Sequence, residues 1–331
     1  MASNINTNSK EEGSTYNEYE NALKLKIKLL EEYEGVDFKQ VFNGNEFFTE
    51  YGLCYNIENK SQLSFNTLDS ETAREKILSD LKLLSGIGEV RAHKLQSEGF
   101  NTIQDLTEHQ KHGAEASKLL KIIDDCDTCS AADWISEWYP KSHPLVLCAS
   151  SFNDNENFIF LDIETLGFFN QPIILLGLAK VSGNKITVNQ YLSRSLGEEN
   201  AVLSSFLTHV LPESVYVTFN GQTFDIPFII NRMKYYNIKR DIDKVHFDML
   251  HYSRRAWSDE LPNCQLTTIE RYIFGIEREN DIPSGLVPDF YKVYNKTGNI
   301  GPLIPIIEHN RQDIITLAKI FSRLHEKWND L

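Results

Sequence analysis

The chain contains 331 residues, a length that suggests about two domains, and its 41% apolar and 24% charged residues are ordinary for a soluble globular protein. No apolar run approaches the roughly 18 residues that a membrane span requires, and residues 1–13 are polar and lack the apolar segment of a secretory signal. The five cysteines form no even, regular framework. We therefore predict a protein of the reducing cytoplasm without structural disulfides.

The net charge of −14 is distributed unevenly along the chain. Residues 1–150 hold 15 Lys and Arg against 25 Asp and Glu, whereas residues 151–331 hold 18 against 22. This balance argues against tight, non-specific coating of DNA, because that binding depends on basic side chains that neutralise phosphates. It still allows local engagement of one strand, since a bound metal ion would neutralise several carboxylates.

The first half of the sequence predicts a polar start followed by helices and one small hairpin. Residues 1–16 are polar and are predicted to be disordered. Residues 17–33 place apolar side chains at helical spacing, and residues 71–138 predict further helices interrupted at glycines. Between them, residues 37–57 predict a strand hairpin with its turn at Asn43-Gly44.

After residue 157 the pattern changes to that of strands. The predicted strands are Phe158–Ile163, Ile173–Val181, Ile186–Leu192, Val215–Phe219 and Val245–Asp248, and the predicted helices are Glu198–Leu211, Phe224–Tyr236 and Ile304–Trp328. This order predicts an α/β fold, in which a mixed sheet of three antiparallel strands and then parallel strands carries helices on both faces. We assign it to one domain over residues 151–331, preceded by an N-terminal region over residues 17–150.

Two acids, Asp162 and Glu164, lie at the end of the first of these strands. Side chains alternate along a strand, so both carboxylates leave the same face. Two anions this close repel each other unless a cation lies between them. Hard divalent ions prefer oxygen ligands, so Mg²⁺ or Mn²⁺ is the expected occupant. Alone, the pair also fits a solvated strand end.

Further acids occur at the start of one predicted helix and within the last one. Asp225 follows a glycine turn, where an acid is also favoured simply by the helix dipole. His309 and Asp313 are four residues apart, so they share one helical face, as any surface pair would. Taken together with the strand pair, the four acids can converge on two metal ions that act on a phosphodiester. His309 is then placed to orient or deprotonate a water molecule.

In these residues the chain resembles the DEDD exonuclease group of the ribonuclease H-like superfamily, and more closely the YprB-like ribonuclease H-like family. The matching segments follow one another in order over residues 157–325: Leu161–Gly167, Phe219–Pro227, Phe247–Arg255, Cys264–Glu270 and His309–Asp313. The resemblance implies that Asp162, Glu164, Asp225 and Asp313 bind two Mg²⁺ or Mn²⁺ ions. It also implies nuclease activity.

His309 departs from one pattern of the broader group. It lies four residues before Asp313, which is the spacing of the branch that uses tyrosine, whereas the histidine branch uses five. By analogy with the acid set, we predict 3′→5′ exonucleolysis on DNA in preference to RNA. A non-catalytic nucleic-acid-binding or scaffold protein and a structure-specific endonuclease of the same fold are the alternatives. No organic small-molecule cofactor and no membrane partner are predicted.

Residues 83–108 resemble the helix-hairpin-helix of DNA repair proteins. Gly86 and Gly88 would let backbone amides approach a phosphate, and Arg91 and Lys94 would add charge. Glu89 weakens such binding, and a hairpin used only for packing is the alternative. We predict nucleic-acid contact.

Four further residues in the second half are predicted to contact nucleic acid: Asn220, Gly221, Arg254 and Arg255. For the two arginines, a salt-bridged helix surface is the alternative. Cys126 and Cys129, with His109 and His112 upstream, have part of the spacing of a zinc site. We favour two ordinary thiols at a helix end. Asp248 is predicted either to support the acids or to cap a helix.

Overall fold

The computed structural model describes the backbone of residues 8–329 and the side chains of residues 19–329. Its helices are α1 (Asn8–Glu32), α2 (Phe38–Val41), α3 (Ser70–Ser79), α4 (Glu89–Ser97), α5 (Gly113–Asp124), α6 (Thr128–Trp138), α7 (Pro144–Cys148), α8 (Glu199–Leu207), α9 (Asp225–Tyr235), α10 (Met249–Trp257), α11 (Leu266–Ile269), α12 (Val287–Thr297) and α13 (Leu303–Asn329). Its strands are β1 (Gly44–Thr49), β2 (Gly52–Gln62), β3 (Phe158–Thr165), β4 (Ile173–Ser182), β5 (Lys185–Leu192), β6 (Val215–Thr218) and β7 (His246–Asp248). Of the segment predicted to be disordered, residues 1–7 lie outside the described residues and residues 8–16 are in α1.

The seven strands form one sheet in the order β1-β2-β5-β4-β3-β6-β7. β3 pairs antiparallel with β4 and parallel with β6, and β6 pairs parallel with β7. β4 and β5 are antiparallel. The mixed α/β sheet with helices on its faces, as the sequence predicts, is confirmed.

The N-terminal hairpin extends this sheet. β2 pairs antiparallel with β5, from Tyr55 opposite Leu192 to Gln62 opposite Lys185. The sequence boundary at residue 150 therefore separates strands that share one sheet. The hairpin turn lies between β1 and β2, and the prediction that it lies at Asn43-Gly44 is wrong.

The local reason for this difference is a helix start. Asp37 caps α2, and Gln40 completes a capping box with it, so residues 38–41 become helical and the first strand begins only at Gly44. The observed turn is stabilised by Thr49 and Gly52, because the Thr49 hydroxyl donates to the Gly52 carbonyl at 3.0 Å and Gly52 has φ +119°.

Alternate side chains of β3 point to opposite faces of the sheet. Ile159, Leu161 and Ile163 pack with α8 and α9. Phe158 and Phe160 face the other side, where both pack against Phe321 of α13. The period of two places the side chains of Asp162 and Glu164 on this second side as well. The same core contains buried side chains from the mainly helical segment between residues 63 and 149, which includes α3 and α7.

α13 packs directly against Gly177 of β4, which lies opposite Asp162 of β3. A methyl group at this position would overlap the side chains of Asn310 and Ile314 on α13. The missing side chain at Gly177 therefore sets how near α13 can come to the acidic end of β3. In the part of the chain that the structure describes, every helix is too short or too polar to cross a membrane.

We expect Gly177→Ala to destabilise the protein by about 1–3 kcal/mol, the usual range for overpacking a close contact. The added methyl must push Asn310 and Ile314 away from the sheet. Urea unfolding followed by circular dichroism measures the change. Gly197→Ala is the matched control, because its methyl would meet only the Ser195 hydroxyl, at 3.8 Å. Equal stabilities for the two variants would contradict this account of the α13 contact.

Candidate active site

Asn310 of α13 holds Asp162 of β3 in place. Its side-chain amide donates to both the backbone carbonyl of Asp162, at 3.1 Å, and the Asp162 carboxylate, at 2.7 Å. Asn310 is itself oriented by Gln190 of β5, whose amide donates to the Asn310 Oδ1 at 2.9 Å. Since both amides are buried, their orientations are set by these bonds and not by solvent.

Asp225 reaches the same strand from the start of α9. Its carboxylate accepts a hydrogen bond from the backbone N–H of Ile163 at 3.1 Å, and that residue lies between the two acids of β3. Asp225 and Glu164 are both buried. An acid at a helix N-terminus is favourable on its own, but this one is directed at the strand and not at water.

Asp313 completes the acidic group from α13. It lies one turn after His309, and the ring Nε2 of that histidine is 3.6 Å from the Asp313 carboxylate. Arg278, which precedes α12, forms an ion pair with Asp313. Arg278 is also held by the buried Glu270, through contacts of 2.6 and 2.8 Å. The four acids that the sequence analysis singled out are thus brought to one region.

Their electrostatics reflect this proximity. Burial, together with repulsion by Asp313, Glu164 and Asp225, raises the pKa of Asp162 well above its usual range. Burial also raises the pKa of Glu164 to about 8, although nearby His309 opposes the shift. The pKa of Asp225 rises to about 7 through burial, against two backbone hydrogen bonds that lower it. A buried group of carboxyls in this state favours either protons or metal cations.

The pKa of His309 is raised as well, which favours the charged form of its ring. Burial lowers its pKa, but the charge of Asp313 and the hydrogen bond to Asp281 outweigh burial and raise the pKa to about 10. The His309 Nδ1 lies 2.7 Å from the Asp281 carboxylate. The pKa of Asp313 is raised by burial, while His309 and Arg278 pull it down. Positive groups therefore already offset part of the negative charge.

The turn after β6 uses its backbone amides internally. Asn220, with φ +69°, donates its N–H to the Asp248 carboxylate at 2.7 Å, and the N–H of Gly221 donates to the Thr218 hydroxyl at 3.1 Å. Asp248 also accepts from the backbone of Leu250, so it caps α10 as well. The backbone amides of Asn220 and Gly221 are thus both bonded to side chains of the protein, and Asp248 supports the loop that leads to Asp225.

A pocket of about 440 Å³ opens beside the acids. Its lining combines apolar side chains with amides, one arginine and two of the acids: Leu161, Asp162, Phe219, Asn220, Leu250, Arg254, Asn263, Cys264, Gln265, Leu266, Asp313 and Leu317. Arg254 thus faces the predicted site, whereas the neighbouring Arg255 donates to the Ser142 hydroxyl at 3.3 Å. The structure separates the two arginines that the sequence had grouped together.

The predicted helix-hairpin-helix contains partners for its own polar groups. The Glu115 carboxylate accepts from the Ser85 amide at 3.0 Å, and the Arg91 guanidinium donates to the Gly86 carbonyl at 2.9 Å. Lys94 lies 3.7 Å from Glu98. Gly86 has φ +73°, as a tight turn requires. These contacts fit the packing alternative, and phosphate binding by Gly86, Gly88, Arg91 and Lys94 stays a prediction.

Cys126 and Cys129 are free and exposed. They line a larger cavity of about 1120 Å³ that contains none of the four acids, so size alone does not mark the candidate site. His109 accepts backbone N–H bonds from Lys111 and His112 through its Nδ1. These bonds satisfy that ring nitrogen within its own turn.

Several residues that shape the site were not predicted from the sequence. They are Asn310 and Gln190, which orient Asp162, and Glu270, Arg278, Asp281 and Ser284, which surround Asp313 and His309. A buried polar residue in an apolar helix, such as Asn310, is a detectable signal. Gln190 is a polar residue in a predicted strand, and the other four lie in or beside a stretch in which no helix or strand was predicted.

The donor set fits a divalent cation of the Mg²⁺ or Mn²⁺ type. All four acids offer hard carboxylate oxygens, and the hydrogen bonds described above engage only some of them. Among residues 19–329, no three His, Cys, Asp or Glu side chains are already spaced to hold one ion. Asp162, Glu164, Asp225 and Asp313 could supply ligands to such a cation.

The fold and this acidic group define a class. The chain belongs to the RNase H superfamily, whose family model matches residues 159–325. It is 33% identical over 201 residues to the uncharacterized protein YprB of Bacillus subtilis (strain 168), a match that covers 58% of this chain and 48% of that protein. It is also 26% identical over 150 residues to a DNA polymerase of Pyrococcus glycovorans, covering 36% of this chain and 19% of the polymerase. The chain thus spans less than half the length of these relatives.

We expect Mn²⁺ to bind more tightly at pH 8 than at pH 6. Below pH 7 the carboxyls of Asp225 and Glu164, with pKa values of about 7 and 8, carry protons that compete with the cation, and above pH 8 those protons are gone. Isothermal titration calorimetry in two buffers of different ionisation enthalpy measures both affinity and proton release. Glu164→Gln should weaken binding and flatten its pH dependence. An affinity that is constant from pH 6 to 8 would contradict the assignment.

Proposed function

We propose that this protein is a metal-dependent nuclease that hydrolyses phosphodiester bonds of nucleic acid. One observation carries the proposal: carboxylates from β3, α9 and α13, separated by up to 151 positions in the sequence, meet in one partly buried place beside an open pocket. Burying like charges is unfavourable without a counter-charge. A purely structural site would have no reason to gather them.

In this proposal Asp162, Glu164, Asp225 and Asp313 hold two ions. Bound Mg²⁺ or Mn²⁺ would lower the pKa of water and stabilise negative charge on the phosphate and on the leaving oxygen. The chain's own contribution is to orient the ligands. Asn310 fixes the Asp162 carboxylate, and the Ile163 N–H fixes Asp225.

His309 is the proposed group for proton transfer. Its Nε2 faces the Asp313 carboxylate at 3.6 Å and the Ser284 hydroxyl at 3.3 Å. Neutralising the carboxylates with divalent ions would lower the pKa of this histidine, because the charges of Asp313 and Glu164 are part of what raises it. A neutral imidazole next to the acids could then accept a proton from the attacking water.

The preferred substrate is DNA, degraded from a 3′ end, in a reducing cytoplasm. The similarity of the chain to a protein described as a DNA polymerase supports DNA over RNA. The five free cysteines support a reducing compartment. Arg254 lines the pocket beside Asp162 and Asp313, where a cation can contact a backbone phosphate.

The ion pair between Arg278 and Asp313 favours one alternative, a non-catalytic protein that binds nucleic acid. In that case the guanidinium of Arg278 would stay paired with Asp313, an acid that a nuclease needs for binding metal. The deciding experiment incubates end-labelled single-stranded DNA, duplex DNA and RNA with Mg²⁺ or Mn²⁺ and resolves the products by length. Single nucleotides support the exonuclease, a defined internal cut supports an endonuclease, and binding without cutting supports the alternative.

We expect Asp162→Asn and Asp313→Asn each to reduce cutting by more than about 100-fold, the upper range for groups that only support a metal ligand. The amide keeps the shape of the side chain and removes the charge. Single-turnover cleavage measures the rate, and circular dichroism checks the fold. Asp289→Asn is the control, because Asp289 is an exposed residue paired with Lys292 at 3.5 Å. Full activity of either variant would refute the site assignment.

We expect Arg254→Ala to weaken binding of a DNA strand and to reduce the salt dependence of binding by about one counterion. The reason is that Arg254 lines the pocket beside the acids. Fluorescence anisotropy at several salt concentrations, with Ca²⁺ in place of Mg²⁺ to prevent cutting, measures the effect. Arg255→Ala should change binding less, since Arg255 is bonded to Ser142. The reverse ranking would place the strand on a different surface.

A further inference from the structure

The loop between α11 and α12 supplies a carboxylate to His309. The Asp281 Oδ1 lies 2.7 Å from the His309 Nδ1, although the two residues are 28 positions apart. His309 is buried and Asp281 is about three-quarters covered, with 25% of its side chain exposed. Water therefore competes little for this bond. Asp281 lies outside β3 and outside the motif around Asp313, and it was not predicted from the sequence.

Two groups approach the same ring nitrogen, and only one can be its partner. The Arg278 Nη1 lies 3.2 Å from the His309 Nδ1, but a guanidinium only donates and cannot bond to a nitrogen that already carries hydrogen. A carboxylate only accepts, so the bond to Asp281 requires hydrogen on Nδ1. The contact with Asp281 is shorter and joins opposite charges when the ring is protonated. In the charged ring, and in a neutral ring with hydrogen on Nδ1, the Nδ1–H therefore points at Asp281.

Asp281 is itself held in a fixed orientation. Its other oxygen, Oδ2, lies 3.4 Å from the Arg278 Nη1. Arg278 is anchored by two bonds to Glu270, whose side chain is 1% exposed. Glu270 also accepts hydrogen bonds from Gln312 and Thr316 of α13. The carboxylate that meets His309 is thus the end of a chain of charged bonds fixed to the helix that carries Asp313.

Because the His309 Nδ1 is bonded to Asp281, the direction of Nε2 is fixed as well. The His309 Nε2 faces Ser284 and the Asp313 carboxylate, which is on the side of the acidic group. If the ring were turned over about its Cβ–Cγ bond, carbon atoms would take the places of both nitrogens, and the bond to Asp281 would be lost. The residues around the ring are therefore Asp281, Arg278, Ser284 and Asp313, with Glu164 close enough to affect its charge.

We propose that Asp281 is a positioning residue, which holds the His309 ring by its Nδ1–H so that Nε2 is directed at the Asp313 side of the carboxylate group. The proposal rests on the proposed nuclease function for its role in catalysis. It does not make Asp281 a metal ligand. It assigns a purpose to the loop of residues 276–284, and it explains how a histidine four residues before Asp313 can serve the site.

The first test compares Asp281→Asn with Glu279→Gln. Glu279 is exposed and lies two residues away, so its variant removes the same charge from the same loop without touching His309. We expect Asp281→Asn to lower kcat for DNA cleavage by about 10- to 100-fold, the range for groups that orient an active residue, with KM unchanged. Asp281→Glu should restore part of the loss. Equal kcat values for the Asn variant and the control would overturn the proposal.

A double-mutant cycle shows whether Asp281 acts through His309. In a His309→Gln background, Asp281→Asn should cause little further loss, because the ring that it orients is absent. Full additivity of the two changes in the logarithm of kcat would mean that Asp281 acts by another route, and it would overturn the proposal. Thermal unfolding of all variants separates a loss of fold from a loss of rate.

A readout without cleavage distinguishes failure of this proposal from failure of the nuclease function. In protein labelled with ¹⁵N-histidine, the His309 Nδ1–H should give a low-field proton resonance, typical of a hydrogen bond to carboxylate and assigned by its absence in His309→Gln. We expect Glu279→Gln to retain the resonance and Asp281→Asn to lose it. Retention in Asp281→Asn would overturn the proposal. If Asp281→Asn loses the resonance but the unaltered protein does not cut nucleic acid, the bond between Asp281 and His309 is supported and the nuclease function is refuted.

Discussion

The contact between α13 and the middle of the sheet is the constraint on which the rest of the structure depends. Gly177 on β4 has no side chain, so Asn310 of α13 can reach past it to the Asp162 carboxylate on β3. The same helix carries His309 directly before Asn310 and Asp313 three residues after it. Packing of apolar side chains further along α13, above all Phe321 against β3, fixes its distance from the sheet. The close contact between α13 and the sheet at Gly177 thus affects both the packing of the core and the position of the acids.

Gathering acids at this point has an electrostatic cost, which the surroundings offset only in part. Asp162, Glu164 and Asp225 all have raised pKa values, with burial as the largest cause. Arg278 and His309 supply positive charge on the Asp313 side. Removing one partner from such a network leaves a buried charge without compensation, which is worse than never having built it. The remaining negative charge is what a divalent cation would satisfy.

Much of the fold could be predicted because its signals are local. The alternation in β3, the glycine turn between β4 and β5, and the helical spacing of α13 each lie within a few residues, and the mixed sheet that they predict is confirmed. The helices α10, α11 and α12 were not predicted, although α10 and α12 carry apolar side chains at clear helical spacing. α11 has only four residues, too few to show a helical period. The turn of the first hairpin was placed wrongly because the capping box at Asp37 competes with the Asn43-Gly44 signal. The joining of that hairpin to β5 is a long-range pairing with no local signal.

The sequence by itself determined which residue types are present and which of them share a face, because side-chain direction follows the period of a strand or helix. It was enough to single out Asp162, Glu164, Asp225, His309 and Asp313 as candidates. Only the tertiary structure decided which groups surround them. The pairing of Arg278 with Asp313 and of Asp281 with His309 arises from packing an irregular loop against α13. Such contacts depend on the balance of burial and charge in three dimensions, and no spacing along the chain encodes that balance.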